Sequence, residues 1–195
     1  MQKLILAIVF LSIHSGIVHS QDLSENELKY ENGRNASVFC LKNQHVALNE
    51  QGKLISGVIS RNQKFYNGKN ASVMCLAGSL IEFNNAGDII SCHLMNGQTF
   101  YNGKNEDVSC LASTKVEFYD SGRIKSAFLA ANHTYYNGRN SPVYCDKNRK
   151  ILFYEAGFVE SATLSANQTF FSEKEQMRQF NKGNMVYFTE YGNVK

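Results

Sequence analysis

The stretch KVEFYDSGRIKS, residues 115–126, decides the fold of this chain. Val116 and Phe118 alternate with charged neighbours, which is the period-two pattern of a strand with one buried face. The group Tyr-Asp-Ser-Gly that follows predicts a tight turn with Gly122 in the left-handed conformation, and Ile124 begins a return strand. The stretch therefore predicts a β-hairpin.

The same hairpin recurs along the chain with a period of 35 residues and without insertions. Three kinds of marker keep this period, so chance is not a serious explanation. The turn glycines are Gly52, Gly87, Gly122, Gly157 and Gly192. The Asn-Gly pairs begin at Asn32, Asn67, Asn102 and Asn137, and the repeated cysteines are Cys40, Cys75, Cys110 and Cys145. The sequence predicts four copies and a truncated fifth, at about 30–64, 65–99, 100–134, 135–169 and 170–195.

An isolated hairpin is marginal in water, whereas stacked copies share a continuous core. We therefore predict an all-β fold, an elongated stack of β-hairpin repeats that forms an open meander or a solenoid-like sheet. A second, smaller hairpin in each copy would carry an aromatic pair, the Asn-Gly turn and the cysteine. A serine in the return strand is predicted to bond the backbone of a neighbouring copy: Ser56, Ser91, Ser126 and Ser161.

The fifth copy departs from the pattern after its aromatic pair. Ser172 and Glu175 have the spacing of a capping box, which marks the start of a helix. Terminal copies of repeat arrays are usually atypical because they close the stack. We therefore predict that residues 172–195 form a cap that begins with a short helix, with Met177 and Phe180 covering the last copy.

Residues 1–20 have the features of a signal peptide. Lys3 supplies a positive charge, and residues 4–13 form an apolar run that is too short to cross a bilayer. Small residues precede a predicted cleavage site at Gln21. We predict an exported protein, periplasmic or extracellular, in which residues 21–195 form a single β-repeat domain without a transmembrane segment.

The formal net charge of +3, or +2 without Lys3, is too small to predict nucleic-acid binding. One slot beside the Asn-Gly pair is nevertheless basic in every full copy, at Arg34, Lys69, Lys104 and Arg139. Stacking would align these side chains as a candidate ligand-facing row for an anionic polymer or surface. An acidic row in the main turn offers the alternative that both rows are solvated faces of a soluble sheet.

Neighbouring aromatic residues precede each Asn-Gly pair, at Phe65–Tyr66, Phe100–Tyr101 and Tyr135–Tyr136. Successive side chains of a strand point to opposite faces, so one ring of each pair is expected inside and one outside. Core packing is the expected role of these rings, and stacking on sugars is the alternative.

Five cysteines in an exported chain raise the question of disulfides. If each copy adds two strands, equivalent cysteines lie at least about 9.6 Å apart. A disulfide joins Cα atoms within roughly 7 Å, so buried free thiols are expected at the repeated slot. Cys92 lies in another strand, and a disulfide with Cys75 or Cys110 is the alternative to simple packing there.

The sequence offers no candidate metal ligands, cofactor site or catalytic residues. His45, His93 and His133 occupy three different slots of the repeat, and no Cys-x-x-Cys occurs. No His or acid recurs beside the repeated serines, as a catalytic triad would need. We predict no metal, no cofactor and no enzymatic activity, and a small hydrolase is the least supported alternative.

Two stretches, VEFYDSGRIKS at 116–126 and ILFYEAGFVES at 151–161, resemble the variant MORN repeat. That repeat is found in bacterial exported proteins and in YwqK-family antitoxins. The resemblance covers the hairpin of each copy, roughly half of the mature chain, and implies stacked β-hairpins with a role in interaction. The longer period and the added Asn-Gly and Cys segment depart from the usual pattern.

We expect an exported, non-catalytic scaffold whose extended face binds an unknown protein or a cell-envelope polymer. An antitoxin or immunity-type inhibitor of a partner protein is the alternative that the resemblance implies. Open sheet edges also predict edge-to-edge self-association. Four glycosylation sequons occur, at Asn35, Asn70, Asn132 and Asn167. They would carry glycans in a eukaryotic secretory pathway, whereas in a bacterium these asparagines would serve as turn residues.

Overall fold

A computed structural model describes residues 24–195, so the predicted signal peptide at 1–20 lies outside the described residues. The described part contains nineteen strands and no helix. Neighbouring strands are antiparallel throughout the named pairs, and most pairs are hairpins. The prediction of an all-β stack of hairpin repeats is confirmed.

Nine strands form one long meander, which receives two strands from each full copy. Its order is β19-β16-β15-β12-β11-β8-β7-β4-β3. The strands are β3 (Val46–Leu48), β4 (Leu54–Val58), β7 (Leu80–Phe83), β8 (Ile89–His93), β11 (Lys115–Phe118), β12 (Ile124–Phe128), β15 (Lys150–Phe153), β16 (Val159–Thr163) and β19 (Met185–Tyr187). We call each pair of strands joined by a turn within one copy a sheet hairpin: β3 with β4, β7 with β8, β11 with β12, and β15 with β16.

The remaining ten strands form five separate two-stranded sheets, which we call short hairpins. They are β1 (Glu27–Glu31) with β2 (Ser37–Leu41), β5 (Gln63–Tyr66) with β6 (Ser72–Cys75), β9 (Gln98–Tyr101) with β10 (Asp107–Cys110), β13 (His133–Tyr136) with β14 (Pro142–Cys145), and β17 (Gln168–Phe171) with β18 (Met177–Phe180). The smaller hairpin predicted for each copy is therefore present.

The core lies between the row of short hairpins and one face of the nine-stranded sheet. Alternate side chains of both layers are buried there, for example Val108 and Cys110 from β10 and Val116 and Phe118 from β11. One ring of each layer meets edge to face, with ring centroids 5.0 Å apart for Phe100 and Phe118. The same pairing recurs in copies two, four and five, so copies two to five repeat one packing unit.

Both kinds of hairpin close with the same turn. In the sheet hairpin of copy three, the Gly122 amide donates to the carbonyl of Tyr119 and Gly122 has φ of +76°. In a short hairpin the corresponding left-handed residue is an asparagine, such as Asn105 with φ of +61°. The glycine of the Asn-Gly pair therefore does not occupy the left-handed position that makes Asn-Gly a hairpin signal.

A buried asparagine joins the turn of each short hairpin to the sheet hairpin of the next copy. The side-chain oxygen of Asn67 accepts bonds from the amides of Lys69 and Ala71, which closes its own turn. Its side-chain nitrogen donates to the carbonyl of Gly122, 55 residues away, at 2.9 Å. Asn32, Asn102 and Asn137 make the equivalent bonds to Gly87, Gly157 and Gly192.

The two turns touch backbone to backbone, which explains the glycine of each Asn-Gly pair. A Cβ atom on Gly33 would lie 2.6 Å from the carbonyl oxygen of Asn85, and one on Gly87 would lie 2.6 Å from the amide nitrogen of Gly33. Gly52 belongs to the first sheet hairpin, and a Cβ atom there would meet nothing within 4 Å. Contact between copies, together with turn conformation, thus selects glycine at the later turns.

The helix predicted at the start of the fifth copy is wrong. Ser172 begins a short-hairpin turn: its hydroxyl oxygen accepts a bond from the Gln176 amide, and Glu175 takes the left-handed conformation with φ of +56°. Residues 177–180 then pair with β17, and Met177 is exposed whereas Phe180 packs against the core. Strand pairing with the preceding segment overrides the local capping signal.

The role predicted for the repeated serines is corrected for two of them, Ser56 and Ser126. In copy one, the Ser56 hydroxyl bonds the His45 ring, and in copy three the Ser126 hydroxyl donates to Glu117. Both partners are side chains of the same sheet hairpin, on the face opposite the core. The cross-strand register explains this, since Ser126 lies directly opposite Glu117.

We predict that Gly122→Ala destabilises the protein far more than Gly78→Ala. Both glycines have positive φ, so each substitution costs about 1 kcal/mol in backbone strain. Only at Gly122 does the added methyl meet the backbone of Gly68 and Lys69, which costs roughly a further 1–3 kcal/mol. Urea unfolding measures both free energies, and equal losses would contradict backbone contact between copies.

Candidate ligand-binding face

The short hairpins present a row of exposed aromatic rings on the face that points away from the core. The first ring of each pair is buried, as in Phe65, Phe100, Tyr135 and Phe170. The second ring is exposed in four successive copies: Tyr66 at 41%, Tyr101 at 57%, Tyr136 at 38% and Phe171 at 38%. The prediction of one ring inside and one outside is confirmed, and we call these four residues the aromatic row.

Small and hydroxylated side chains surround the aromatic row. Thr99 lies two residues before Tyr101 on the same strand face, and its hydroxyl is 3.4 Å from that of Ser109 across the hairpin. Threonine recurs in this slot at Thr134 and Thr169, both exposed. A groove of about 280 Å³ lies beside Tyr101, between the turn at 67–71 and the strand residues 99–101 of the next copy. The face thus combines rings and hydroxyls, with a groove beside Tyr101.

Side-chain amides hold neighbouring short hairpins in place, because their backbones form separate sheets. The Gln98 side chain accepts a bond from the Met74 amide at 2.8 Å and donates to the Ser72 carbonyl at 3.3 Å. Gln168 makes the same pair of bonds, to Tyr144 and Pro142, whereas Gln63 bonds both the amide and the carbonyl of Phe39. The glutamine therefore replaces a strand-to-strand ladder at three of the four junctions between short hairpins, and His133 occupies the slot at the fourth.

The predicted basic row lies at the tips of the short hairpins, where most of its members bond the next copy. Arg34 donates to the Asn70 side chain at 2.8 Å and pairs with Asp88. Lys104 donates to the Asn140 side chain at 3.0 Å and lies over the Phe158 ring. Two of the four cations are therefore engaged within the protein by these contacts.

The third engaged cation is Arg139, which donates to Asn193 at 2.7 Å and pairs with Glu175 at 3.0 Å. Lys69 has an exposed side chain beside the groove at Tyr101. The cation in this slot therefore bonds the next copy in three of the four full copies. Whether these residues also face a ligand stays a prediction.

A second polar cluster occupies the opposite face of the nine-stranded sheet, away from the core. Glu117 pairs with Lys115 at 3.0 Å and with Lys150 at 3.3 Å, and the Ser126 hydroxyl donates to it. Burial raises the pKa of the Glu117 carboxyl, but the bonds from Ser126 and Lys115 and the charge of Lys150 outweigh burial and lower the pKa to about 2. Such a carboxylate is a weak base at neutral pH, so the cluster suits a structural role.

All five cysteines are buried in the core. Burial raises the pKa of Cys40 to about 11 and those of Cys110 and Cys145 to about 12, which makes these thiols poor nucleophiles. Cys75 and Cys92 lie in contact, with their sulfur atoms 2.9 Å apart. Within residues 24–195, no group of three His, Cys, Asp or Glu side chains is arranged to hold a metal ion.

The four sequon asparagines lie in turns and loops. Asn35 and Asn70 take the left-handed position of short-hairpin turns, with φ of +57° and +59°. Asn132 and Asn167 accept bonds from the amides of Lys147 and Lys182, both at 2.8 Å. Each sequon asparagine therefore stabilises a turn or a loop of the fold.

No protein-family model matches the sequence, and no curated protein matches it. Along residues 24–195 there is no helix with the length and apolar character needed to cross a membrane. The relationship to variant MORN repeats stays a prediction that rests on the hairpin residues 116–126 and 151–161.

We predict that Glu117→Gln flattens the acid limb of the stability profile. The carboxylate is stabilised in the fold, so its contribution is present above the ordinary pKa of 4.5 and is lost as the pH falls towards about 2. The free energy of unfolding of the wild type should therefore fall more steeply across that range than that of Glu117→Gln. Urea unfolding at a series of pH values measures this, with Glu155→Gln, in an exposed turn, as the control. Identical slopes for wild type and Glu117→Gln would refute the prediction.

Proposed function

We propose that this chain is an exported, non-catalytic scaffold that binds an extended cell-envelope glycan along the aromatic row. The observation that carries the proposal is the exposure of one aromatic ring per copy at Tyr66, Tyr101, Tyr136 and Phe171. Exposed large rings cost solubility without contributing to the core, and a repeated exposed ring is typical of a binding surface.

The spacing of the rings suits a polymer. Each copy adds two strands to the sheet, so successive rings are separated by about 9.6 Å, twice the distance between strands. A ligand with its own repeat of about that length would meet an equivalent ring at each step. Weak contacts made in series then add up, because binding at one copy raises the effective concentration at the next.

The chemistry of the face favours an uncharged or weakly charged glycan. The C–H face of a sugar packs on an aromatic ring, while sugar hydroxyls need hydrogen-bond partners such as those of Thr99, Ser109 and Thr134. Charged side chains on the same strand faces are of both signs, as with Lys64 and Asp107. Two of the four cations at the hairpin tips, Arg34 and Arg139, are paired with carboxylates, which lowers the net charge available to attract a polyanion.

The test is co-sedimentation of the mature protein with insoluble envelope glycans, and isothermal titration with soluble fragments of increasing length. We expect affinity to rise with fragment length, and the double variant Tyr101→Ala and Tyr136→Ala to bind at least about tenfold more weakly, a loss of about 1.4 kcal/mol. Tyr191→Ala is the matched control, because Tyr191 is 80% exposed but lies in a sheet-hairpin turn outside the row. It should bind as the wild type does.

Two results would overturn the glycan ligand. Equal binding by the wild type and the double variant would remove the aromatic row from recognition. Capture of a protein from envelope extract that is lost in the double variant, without any glycan binding, would keep the scaffold and replace its ligand with a protein. That second outcome would favour the inhibitor function implied by the resemblance to antitoxins.

A further inference from the structure

In every full copy, the cysteine of the short hairpin faces a small residue on the sheet hairpin. A backbone bridge joins each cysteine to the residue two positions after that small residue, as with Cys75 and Leu94. In copy one the facing residue is Gly57, and a Cβ atom there would lie 3.0 Å from the Cys40 sulfur. The facing residues are Gly57, Cys92, Ala127 and Ala162.

Copy two alone has a second thiol in this facing slot. Both Cys75 and Cys92 are fully buried, and their sulfur atoms lie 2.9 Å apart, closer than ordinary van der Waals contact between sulfurs. The two residues belong to different layers, on β6 of the short hairpin and β8 of the sheet. The sulfurs would have to close from 2.9 Å to the bonding distance of about 2.05 Å.

We propose that the mature protein carries one disulfide, between Cys75 and Cys92, which bonds the short hairpin of copy two to the nine-stranded sheet. Cys110, the other candidate, bridges Leu129 in its own copy, and the repeat places Ala127 in the slot that Cys92 occupies in copy two. The remaining three cysteines stay reduced because glycine or alanine faces them and because equivalent cysteines are about 9.6 Å apart.

The bond forms during folding, when the thiols are still accessible. One thiolate attacks a small-molecule or protein disulfide, which releases one thiol and leaves a mixed disulfide. The second cysteine thiolate displaces the remaining thiol, so that the protein loses two electrons and two protons and the oxidant becomes two thiols. In the folded chain, burial raises the pKa of Cys75, so a protein that folds reduced is slow to oxidise afterwards.

The experiment refolds full-length mature protein in a glutathione redox buffer and counts free thiols in denaturant, before and after reduction. We expect three thiols before reduction and five after, and a peptide map that joins residues 75 and 92. Reduction should lower Tm by roughly 6–12 °C, as expected for closing a loop of this length in a chain of this size.

Two variants separate this bond from other pairings. Cys92→Ala places alanine where copies three and four already have it, so it should fold, show four thiols and have a Tm that reduction does not change. Cys110→Ala should show two thiols and keep the reduction-dependent fall in Tm. Five free thiols in the refolded wild type, or a peptide map that joins Cys92 to Cys110, would overturn the proposal.

Discussion

The stack depends on the contact between two turns in neighbouring copies. A short-hairpin turn lies against the sheet-hairpin turn of the next copy so closely that neither backbone leaves space for a Cβ atom, as at Gly68 and Gly122. A buried asparagine such as Asn67 satisfies both turns at once, since its oxygen closes one and its nitrogen bonds the other. Because a buried polar group is costly when unpaired, this arrangement holds each copy in a single register.

Because every copy keeps the same register, the side chains of the outer surface repeat at equal intervals. Glutamine side chains bond three of the short hairpins to the preceding one, and ring pairs such as Phe100 and Phe118 pack the short hairpins of copies two to five on the sheet. The exposed rings therefore recur at equal intervals in a fixed arrangement, so ligand binding would cost little entropy for ordering them. The proposed disulfide would add a covalent link between the same two layers, at copy two only.

The sequence predicted the features that every copy shares. The period, the hairpins, the left-handed turn glycines and the division of ring pairs all follow from alternation and from turn chemistry that is local in the chain. The sequence prediction was wrong where a local signal competed with a contact to another segment. The capping box at Ser172 predicted a helix, but pairing with β17 makes this segment a strand. Contacts 36 or 55 residues apart, such as those of Arg34 and Asn32, required the geometry of the stack.

Nuclear magnetic resonance of the side-chain amides tests the turn-to-turn contact most directly. The amide protons of Asn67 should exchange slowly with solvent and show nuclear Overhauser contacts to residues 122 and 123, and Asn32, Asn102 and Asn137 should behave alike. The exposed Asn96 supplies the rate of a free side chain. Exchange of all four at the rate of Asn96, with no contact between copies, would contradict the account.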